Sequence, residues 1–398
     1  MANFGNRLRS SRRPFYYLRL RSLWLLCLLP TFVFLPVPAD GNPPAEDDGP
    51  IKIAAIFSES GIAAPHNQPL IEMTRLAVKH INDRGGLLGK RVDLILFDNL
   101  STPIGSAVAA RQSVEQDVTA VIGAHWSSHS LAMAPILQEA GIPMISPGST
   151  NPEVTKGRNF IFRACFIDSF QGLAMAKFAR DNLHAKTAVV LTNIDEDYST
   201  MLGQFFSRAF EKAGGQIQEE IGYRGNATDF SAIVAKIRAR MPDVVYLPGY
   251  TRDSGLFIKQ AVKMGITATF LGGDAWDEIE NYAGVSVDGS FQSAPWHPEV
   301  PFPASDQMKK LFTATYNREI ANNSSPLAYD ALMILADAIT RAGTTDHRAI
   351  RDALAATRDF QGATGSITFD ENGDPLDKAI IIIEFKDGKR VFKQAIQP

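Results

Sequence analysis

Two clusters of hydroxyl side chains each follow a short apolar run. The first cluster follows residues 120–123 and the second follows residues 142–145; together they contain Ser127, Ser128, Ser130, Ser146, Ser149 and Thr150. Serine and threonine at the start of a helix place hydroxyls beside free backbone N–H groups. Such a point attracts an anion, and a small carboxylate fits it. Ordinary helix capping explains either cluster alone, but two clusters at neighbouring strand ends favour a ligand site.

The elements around these clusters alternate between strand and helix patterns. Apolar runs of strand length occur at 51–57, 92–98, 120–123 and 142–145, and again at 187–192, 215–221, 244–248 and 269–272. Stretches with helical spacing separate them, and a hairpin pattern closes the chain. The alternation predicts an α/β fold with two doubly wound, parallel-sheet units. A length of 398 residues also favours two domains.

The beginning of the chain has the composition of an export signal. Six arginines precede an apolar stretch at 23–35, and no acidic residue occurs among the first 39. This order of basic, apolar and small residues predicts a signal peptide over residues 1–39, followed by a flexible tether over residues 40–50. We therefore expect the protein in the periplasm. Because Arg12 and Arg13 form a twin-arginine pair, both the general secretory and the twin-arginine routes stay open.

Charge and cysteine content exclude several classes of function. Without the signal peptide the chain has 34 basic and 43 acidic residues, a net charge of −9, which disfavours binding to nucleic acid. Cys165 would then be the only cysteine, so no internal disulfide can form. The sequence contains no dinucleotide, P-loop or zinc-protease motif, and Ser127 lacks a nucleophile elbow. We expect no cofactor, no metal ion and no enzymatic activity.

Five segments carry a resemblance to a known family through their order and spacing. They lie at 81–89, 122–123, 141–147, 168–172 and 369–374. In these segments the chain resembles the type I periplasmic binding proteins, specifically the leucine/isoleucine/valine-binding branch that serves ABC transporters. The resemblance implies two lobes joined by a three-strand hinge, with the ligand held in the cleft between them.

The resemblance also implies where the chain passes between the lobes. The crossings are expected near Asp168, Ser293 and Gly365. The expected first lobe comprises residues 51–168 and 293–365, and the expected second lobe comprises residues 169–292 and 366–398.

The resemblance assigns the ligand's carboxylate to the first lobe. It implies that the Ser127 hydroxyl binds the carboxylate of an amino acid. The Gly148 carbonyl and the Thr150 hydroxyl would contact the amine and the carboxylate, and Ser149 would be a further donor.

The resemblance assigns the closing contacts to the second lobe. Tyr198 and Tyr250 match aromatic residues that contact the ligand, and Asp274 matches an acid that pairs with the α-ammonium. A desolvated ammonium requires such a partner. Helix capping by Asp274 and ordinary packing of the two tyrosines remain alternatives.

Two positions depart from the branched-chain pattern. His66 stands where the family usually has an aromatic residue, and Trp126 stands where the family often has a small one. An indole at Trp126 would shrink the pocket or stack on a planar ligand. Asp274 is also one methylene shorter than the glutamate common in branched-chain binders. The expected ligand is therefore an amino acid, branched-chain or related, with aromatic side chains included.

These features together predict an extracytoplasmic solute-binding protein. We expect a monomer that captures an amino acid by hinge closure and delivers it to an ABC permease in the membrane. The alternative is a sensory binding protein of the same fold that signals to a receptor.

Overall fold

The described residues contain two large sheets and a two-stranded ribbon; the first large sheet has the strand order β2-β1-β3-β4-β5, and all of its strands are parallel. A computed structural model describes residues 49–376 and 378–398. The strands of this sheet are β1 Ile51–Phe57, β2 Val92–Asp98, β3 Ala120–Gly123, β4 Met144–Ser146 and β5 Ile161–Arg163. β1 and β3 are apolar along nearly their whole length because helices cover both faces of the sheet.

Six helices belong to the first lobe, which contains this sheet. They are α1 Ala64–Asp83, α2 Pro103–Glu115, α3 Ser127–Ala140, α9 Pro303–Tyr316, α10 Pro326–Ala342 and α11 His347–Ala355. The last three come late in the chain but share one apolar core with β1 and α1. A 3-10 helix, Pro152–Val154, and a two-stranded ribbon of β11 Phe360–Gly362 and β12 Gly365–Ile367 complete this region.

The second sheet has seven strands in the order β14-β13-β10-β9-β8-β6-β7. They are β6 Thr187–Asn193, β7 Gln216–Tyr223, β8 Val244–Leu247, β9 Thr269–Gly272, β10 Phe291–Ala294, β13 Ile380–Lys386 and β14 Lys389–Ile396. The first five are parallel to one another, whereas β13 is antiparallel to both β10 and β14. The predicted α/β fold is therefore confirmed, and the predicted hairpin forms the antiparallel edge of the second sheet.

The helices of the second lobe lie between its strands in the chain. They are α4 Asp168–Asp181, α5 Asp197–Lys212, α6 Ser231–Arg240, α7 Thr251–Lys263 and α8 Glu280–Ala283, followed by a 3-10 helix at Gly284–Val287. In the described part of the chain, no helix is both long and apolar enough to cross a membrane. The predicted signal peptide and most of the predicted tether lie outside the described residues.

The chain passes between the lobes at three places, and the third differs from expectation. The first crossing precedes α4 and the second follows β10. After β12, Phe369 packs on Phe162 with ring centroids 5.2 Å apart, and the Gly373 carbonyl accepts a hydrogen bond from the Arg163 amide at 3.1 Å. This segment therefore stays with the first lobe. The third crossing lies between Asp374 and Ile380 instead of near Gly365.

A glycine fixes the end of β3 next to the first hydroxyl cluster. Gly123 has a φ of 129°, and a Cβ there would lie 2.3 Å from the Ile56 carbonyl oxygen. No other residue type fits this close approach without strain. The chain therefore leaves β3 close to β1 and turns directly into α3.

A buried arginine holds the loop that carries the second hydroxyl cluster. The Arg163 side chain is fully buried, and its Nε donates to Asp374 Oδ1 at 2.6 Å. Its Nη1 donates to the Ser149 and Asn151 carbonyls at 2.5 and 3.0 Å. Arg163 thus ties the loop after β4 to the segment before the third crossing.

We predict that Arg163→Ala destabilises the protein by about 3–5 kcal/mol, because it removes the cationic partner of the Asp374 carboxylate and the side-chain donor to two buried carbonyls. The matched control is Arg240→Ala, which removes an exposed pair with Glu219 at 3.1 Å and should change stability by about 0–1 kcal/mol. The free energy of unfolding from urea titration measures both. Equal losses in the two variants would contradict the role of Arg163.

Candidate functional site

The two hydroxyl clusters meet at the carboxyl ends of β3 and β4. The Ser127 hydroxyl, at the start of α3, accepts a hydrogen bond from the Asn151 amide at 3.3 Å. The Ser146 hydroxyl donates to the Ala124 carbonyl at 2.7 Å. Both loops are buried and form one surface of the cleft between the lobes.

The Ser149 hydroxyl takes part in the structure of these loops. It lies 2.7 Å from the Ser130 hydroxyl, and the Ala124 and His125 carbonyls are 3.2 and 3.1 Å away. A hydroxyl has one proton to donate, and here the protein itself accepts it. The Ser149 hydroxyl is therefore engaged within the protein and holds the two loops together.

The Thr150 hydroxyl is differently placed. It is buried, and within residues 49–376 and 378–398 no hydrogen bond of normal geometry reaches it. A buried hydroxyl without a partner is costly unless a ligand supplies one. Gly148 is also buried, and the ring of His125 packs against its Cα with no space for a side chain.

Asp274 and Tyr198 lie together on the second lobe. The Tyr198 hydroxyl donates to Asp274 Oδ1 at 2.9 Å, and Gln171 Nε2 donates to the same oxygen at 2.7 Å. Asp274 follows the carboxyl end of β9, and Tyr198 lies in the first turn of α5. Burial raises the pKa of Asp274 to about 7, although the bond from Tyr198 opposes this rise.

Asp168 is a second buried carboxylate that was not predicted as a site residue. Its amide donates to the Thr150 carbonyl at 2.9 Å, but among the described residues no hydrogen bond of normal geometry reaches its carboxylate oxygens. Burial raises the pKa of Asp168 well above its ordinary value, and the negative charge of Asp274 raises it further. Thr150 and Arg163 oppose this rise. The segment at 168–172, which carried part of the family resemblance, was the available signal.

Three aromatic rings form a stack that joins the lobes. Trp126 of the first lobe lies on Tyr250 with centroids 3.9 Å apart and planes inclined by 16°. Tyr250 in turn stacks on Tyr198 at 5.5 Å. One face of the Trp126 indole is therefore covered by Tyr250, so this ring narrows the pocket. The rings of His66 and Trp126 have centroids 6.4 Å apart, and burial lowers the pKa of His66 to about 4.

The lobes contact each other on both sides of this stack. On one side, the Ser128 hydroxyl donates to Glu196 Oε2 at 3.1 Å. On the other side, the backbone N–H of Asn323 donates to Asp277 Oδ1 at 2.7 Å. The cleft is closed in this arrangement. Among the described residues, no group of three or more histidine, cysteine or acidic side chains could hold a metal ion.

An open cavity of about 860 Å³ lies on the outer side of the aromatic stack. Its lining residues are Ile62, His66, Trp126, Asn193, Asp195, Glu196, Arg224, Gly225, Asn226, Tyr250, Arg252 and Asp253. Ser127, Thr150 and Asp274 do not line it. The predicted site residues therefore divide into two groups. Ser127, Thr150 and Asp274 form a deep group, whereas His66, Trp126 and Tyr250 face this cavity, which we call the outer chamber.

Comparison with known proteins identifies the family. A family model described as periplasmic binding protein matches residues 50–390. The chain belongs to the periplasmic binding protein family. Members of this family are solute-binding proteins that act outside the cytoplasm, and the chain falls in the type I, branched-chain amino acid group.

Relatives of known structure or name agree with this family assignment. The leucine-, isoleucine-, valine-, threonine- and alanine-binding protein of Pseudomonas aeruginosa is 29% identical over 85% of this chain and 91% of its own length. The crystal structure of the leucine binding protein LivK from Thermotoga maritima is 38% identical, with a TM-score of 0.84 over 87% of this chain and 99% of that one. The predicted family is therefore confirmed.

A second solved structure carries a ligand. LivJ from Streptococcus pneumoniae, in complex with isoleucine, is 29% identical and has a TM-score of 0.83 over 88% of this chain and all (100%) of that one. The two-lobe fold predicted from the sequence is confirmed by these neighbours.

We predict a pH-dependent effect of Asp274→Asn on the stability of the ligand-free protein. The folded pKa of about 7 lies above the unfolded value of about 4, so the protonated form stabilises the fold. That stabilisation is complete below about pH 4 and is lost as the pH rises through about 7. Asp274→Asn avoids this loss. Its free energy of unfolding should exceed that of the wild type at pH 8 and approach it at pH 5.

The control for this comparison is Asp181→Asn, which changes an exposed carboxyl of the same lobe. Its stability should follow that of the wild type at every pH. Parallel pH profiles for Asp274→Asn and the wild type would show that Asp274 is not buried as described.

Proposed function

We propose that this protein captures an amino acid between its lobes and delivers it to an ABC permease in the membrane. The observation that carries the proposal is a complementary set of buried groups around the closed cleft. Hydroxyls of Ser127 and Thr150 lie on the first lobe, while Asp274 of the second lobe lies near enough to Asp168 for their charges to interact. An amino-acid zwitterion complements this set, because its carboxylate accepts hydrogen bonds from the hydroxyls and its ammonium group pairs with Asp274.

The carboxylate of the amino acid binds the first lobe. Ser127 is the first residue of α3, so its hydroxyl lies beside the free N–H groups and the positive end of that helix. The Thr150 hydroxyl, whose contact with Asp168 falls outside normal hydrogen-bond geometry, supplies a second donor. Ser149 holds the Ser127 and Thr150 loops in register through its bonds to Ser130 and Ala124.

The ammonium group binds at Asp274, with the Gly148 carbonyl as a second acceptor. Closure without a cation requires the two buried carboxylates, Asp168 and Asp274, either to take up protons or to remain charged in a buried site, and both cost free energy. An ammonium ion removes this penalty and gains charge-assisted hydrogen bonds. Closure is therefore coupled to the arrival of a ligand that carries a positive charge beside its carboxylate.

Closure brings the aromatic side chains over the ligand. Tyr198 and Tyr250 come from the second lobe, and Trp126 meets Tyr250 from the first. This contact covers the head group and excludes water, which strengthens the polar interactions beneath it. His66 and Trp126 bound the space into which the amino-acid side chain extends.

The relatives support transport over the sensory alternative. The Streptococcus pneumoniae structure is described as a substrate-binding protein of a branched-chain amino acid transporter, and the Pseudomonas aeruginosa relative is named for binding five amino acids. The proposal extends this role to the present chain.

We expect the purified protein to bind at least one L-amino acid, detected as a rise in melting temperature across a screen of the twenty common ones. Calorimetry with the best of them should show that Asp274→Ala weakens binding by about 2–5 kcal/mol, because the ammonium loses a buried charged partner. A screen without any stabilising amino acid would contradict the proposal, and an unchanged affinity in the variant would contradict the ammonium assignment.

The adjacent residues Ser149 and Thr150 provide a matched pair of variants. Thr150→Val should leave the ligand-free melting temperature close to that of the wild type and weaken amino-acid binding about tenfold, as expected for one lost hydrogen bond to a charged group. Ser149→Ala should lower the melting temperature through its lost loop contacts. The opposite pattern would assign ligand donation to Ser149.

A further inference from the structure

The outer chamber extends the cleft beyond the deep group of site residues. Trp126 and Tyr250 belong to its lining, and Tyr250 stacks on Tyr198, whose hydroxyl donates to Asp274, so the chamber adjoins the deep group. Its volume of about 860 Å³ leaves space for a long side chain. The charges on its walls therefore bear on which side chains it accepts.

The inner wall of the chamber carries a carboxylate in a negative environment. Glu196 is half-buried, and the one hydrogen bond of its carboxylate in the described part of the chain comes from the Ser128 hydroxyl at 3.1 Å. Burial, aided by the charges of Asp197, Asp253 and Asp195, raises the pKa of Glu196 to about 7, although the Ser128 hydrogen bond opposes this rise. Among the described residues, no salt bridge pairs this carboxylate with a cation, and Arg224 of the same chamber pairs with Asp195 instead.

A second acid and an aromatic surface lie beside Glu196. Asp253 is buried in the chamber wall and accepts hydrogen bonds from Tyr223 and Asn193. Trp126 and Tyr250 present π systems to the same space. Aromatic faces and carboxylates both attract a positive charge, and a partly desolvated site strengthens both attractions.

The arginines of the chamber stand at its solvent edge. Arg224 has a side chain 70% exposed and already pairs with Asp195. Arg252 is exposed as well. Solvent and salt screen charges in such positions, whereas the inner acids are screened much less.

We propose that the chamber selects an amino acid whose side chain ends in a cation, with Glu196 as the residue that recognises it. The inference rests on the proposed amino-acid function and narrows its ligand class to basic amino acids. The ammonium or guanidinium group lies against Glu196 and the aromatic wall, with Asp253 adding negative charge behind it.

The test compares L-arginine, L-lysine, L-leucine and L-glutamate by calorimetry on the wild-type protein and on Glu196→Gln. The amide oxygen can still accept the Ser128 bond, so the contact between the lobes is retained. We expect arginine or lysine to bind at least tenfold more tightly than leucine, and Glu196→Gln to remove that preference. The ratio of basic to neutral affinity is the readout, because a general defect in closure would lower both equally.

The matched control is Glu220→Gln. Glu220 also accepts a hydrogen bond from a serine, Ser207, but it lies on β7 outside the chamber lining. This variant should keep the wild-type preference for basic side chains.

Each other outcome overturns the inference in a distinguishable way. Binding of leucine without binding of arginine or lysine rejects the basic ligand class and leaves the amino-acid function standing. Tightest binding of glutamate rejects it in favour of the arginines at the edge. A preference for basic side chains that survives in Glu196→Gln rejects the role of Glu196. Failure of all four probes to bind rejects the basic ligand class, whereas the screen of the twenty common amino acids decides the amino-acid function separately.

Discussion

The burial of Asp168 and Asp274 in the closed cleft is the constraint on which this molecule depends. Both carboxylates are removed from solvent, and burial together with the charge of Asp274 raises the pKa of Asp168. Arg163, a nearby cation, is engaged by Asp374 and two loop carbonyls. Closure without a further cation therefore requires these carboxylates to take up protons or to stay charged at a cost, and we propose that the ammonium group of a ligand removes that cost. Selectivity for amino acids and closure of the lobes would then have one origin.

The rest of the fold brings the complementary groups to that point. Parallel strands β3 and β4 end at the same edge, so their loops present Ser127 and Thr150 side by side. Gly123 allows β3 to turn sharply, and Arg163 ties the second loop to a segment more than two hundred residues away. The same arginine therefore contributes to stability and to the geometry of the carboxylate site.

Much of this architecture could be predicted from the sequence, because strand and helix periodicity and hydroxyl clusters are local signals. The third crossing could not be placed, since Gly365 resembles a boundary and only tertiary contacts of Phe369 and Gly373 keep the following residues on the first lobe. The Ser149 hydroxyl is hydrogen-bonded to Ser130, whereas no hydrogen bond of normal geometry reaches the Thr150 hydroxyl in the described residues. This difference also depends on tertiary contacts and could not be read from the sequence. Asp168 is recognisable as a charged cleft residue only once its burial is known.

A crystal structure of the purified protein with its best-binding amino acid would show directly which groups hold the ammonium and the carboxylate of the ligand. We expect the α-ammonium within about 2.7–3.2 Å of an Asp274 carboxylate oxygen, and the ligand carboxylate at the Ser127 and Thr150 hydroxyls. A ligand bound in the opposite orientation, or held with its ammonium away from Asp274, would rule out Asp274 as the ammonium site.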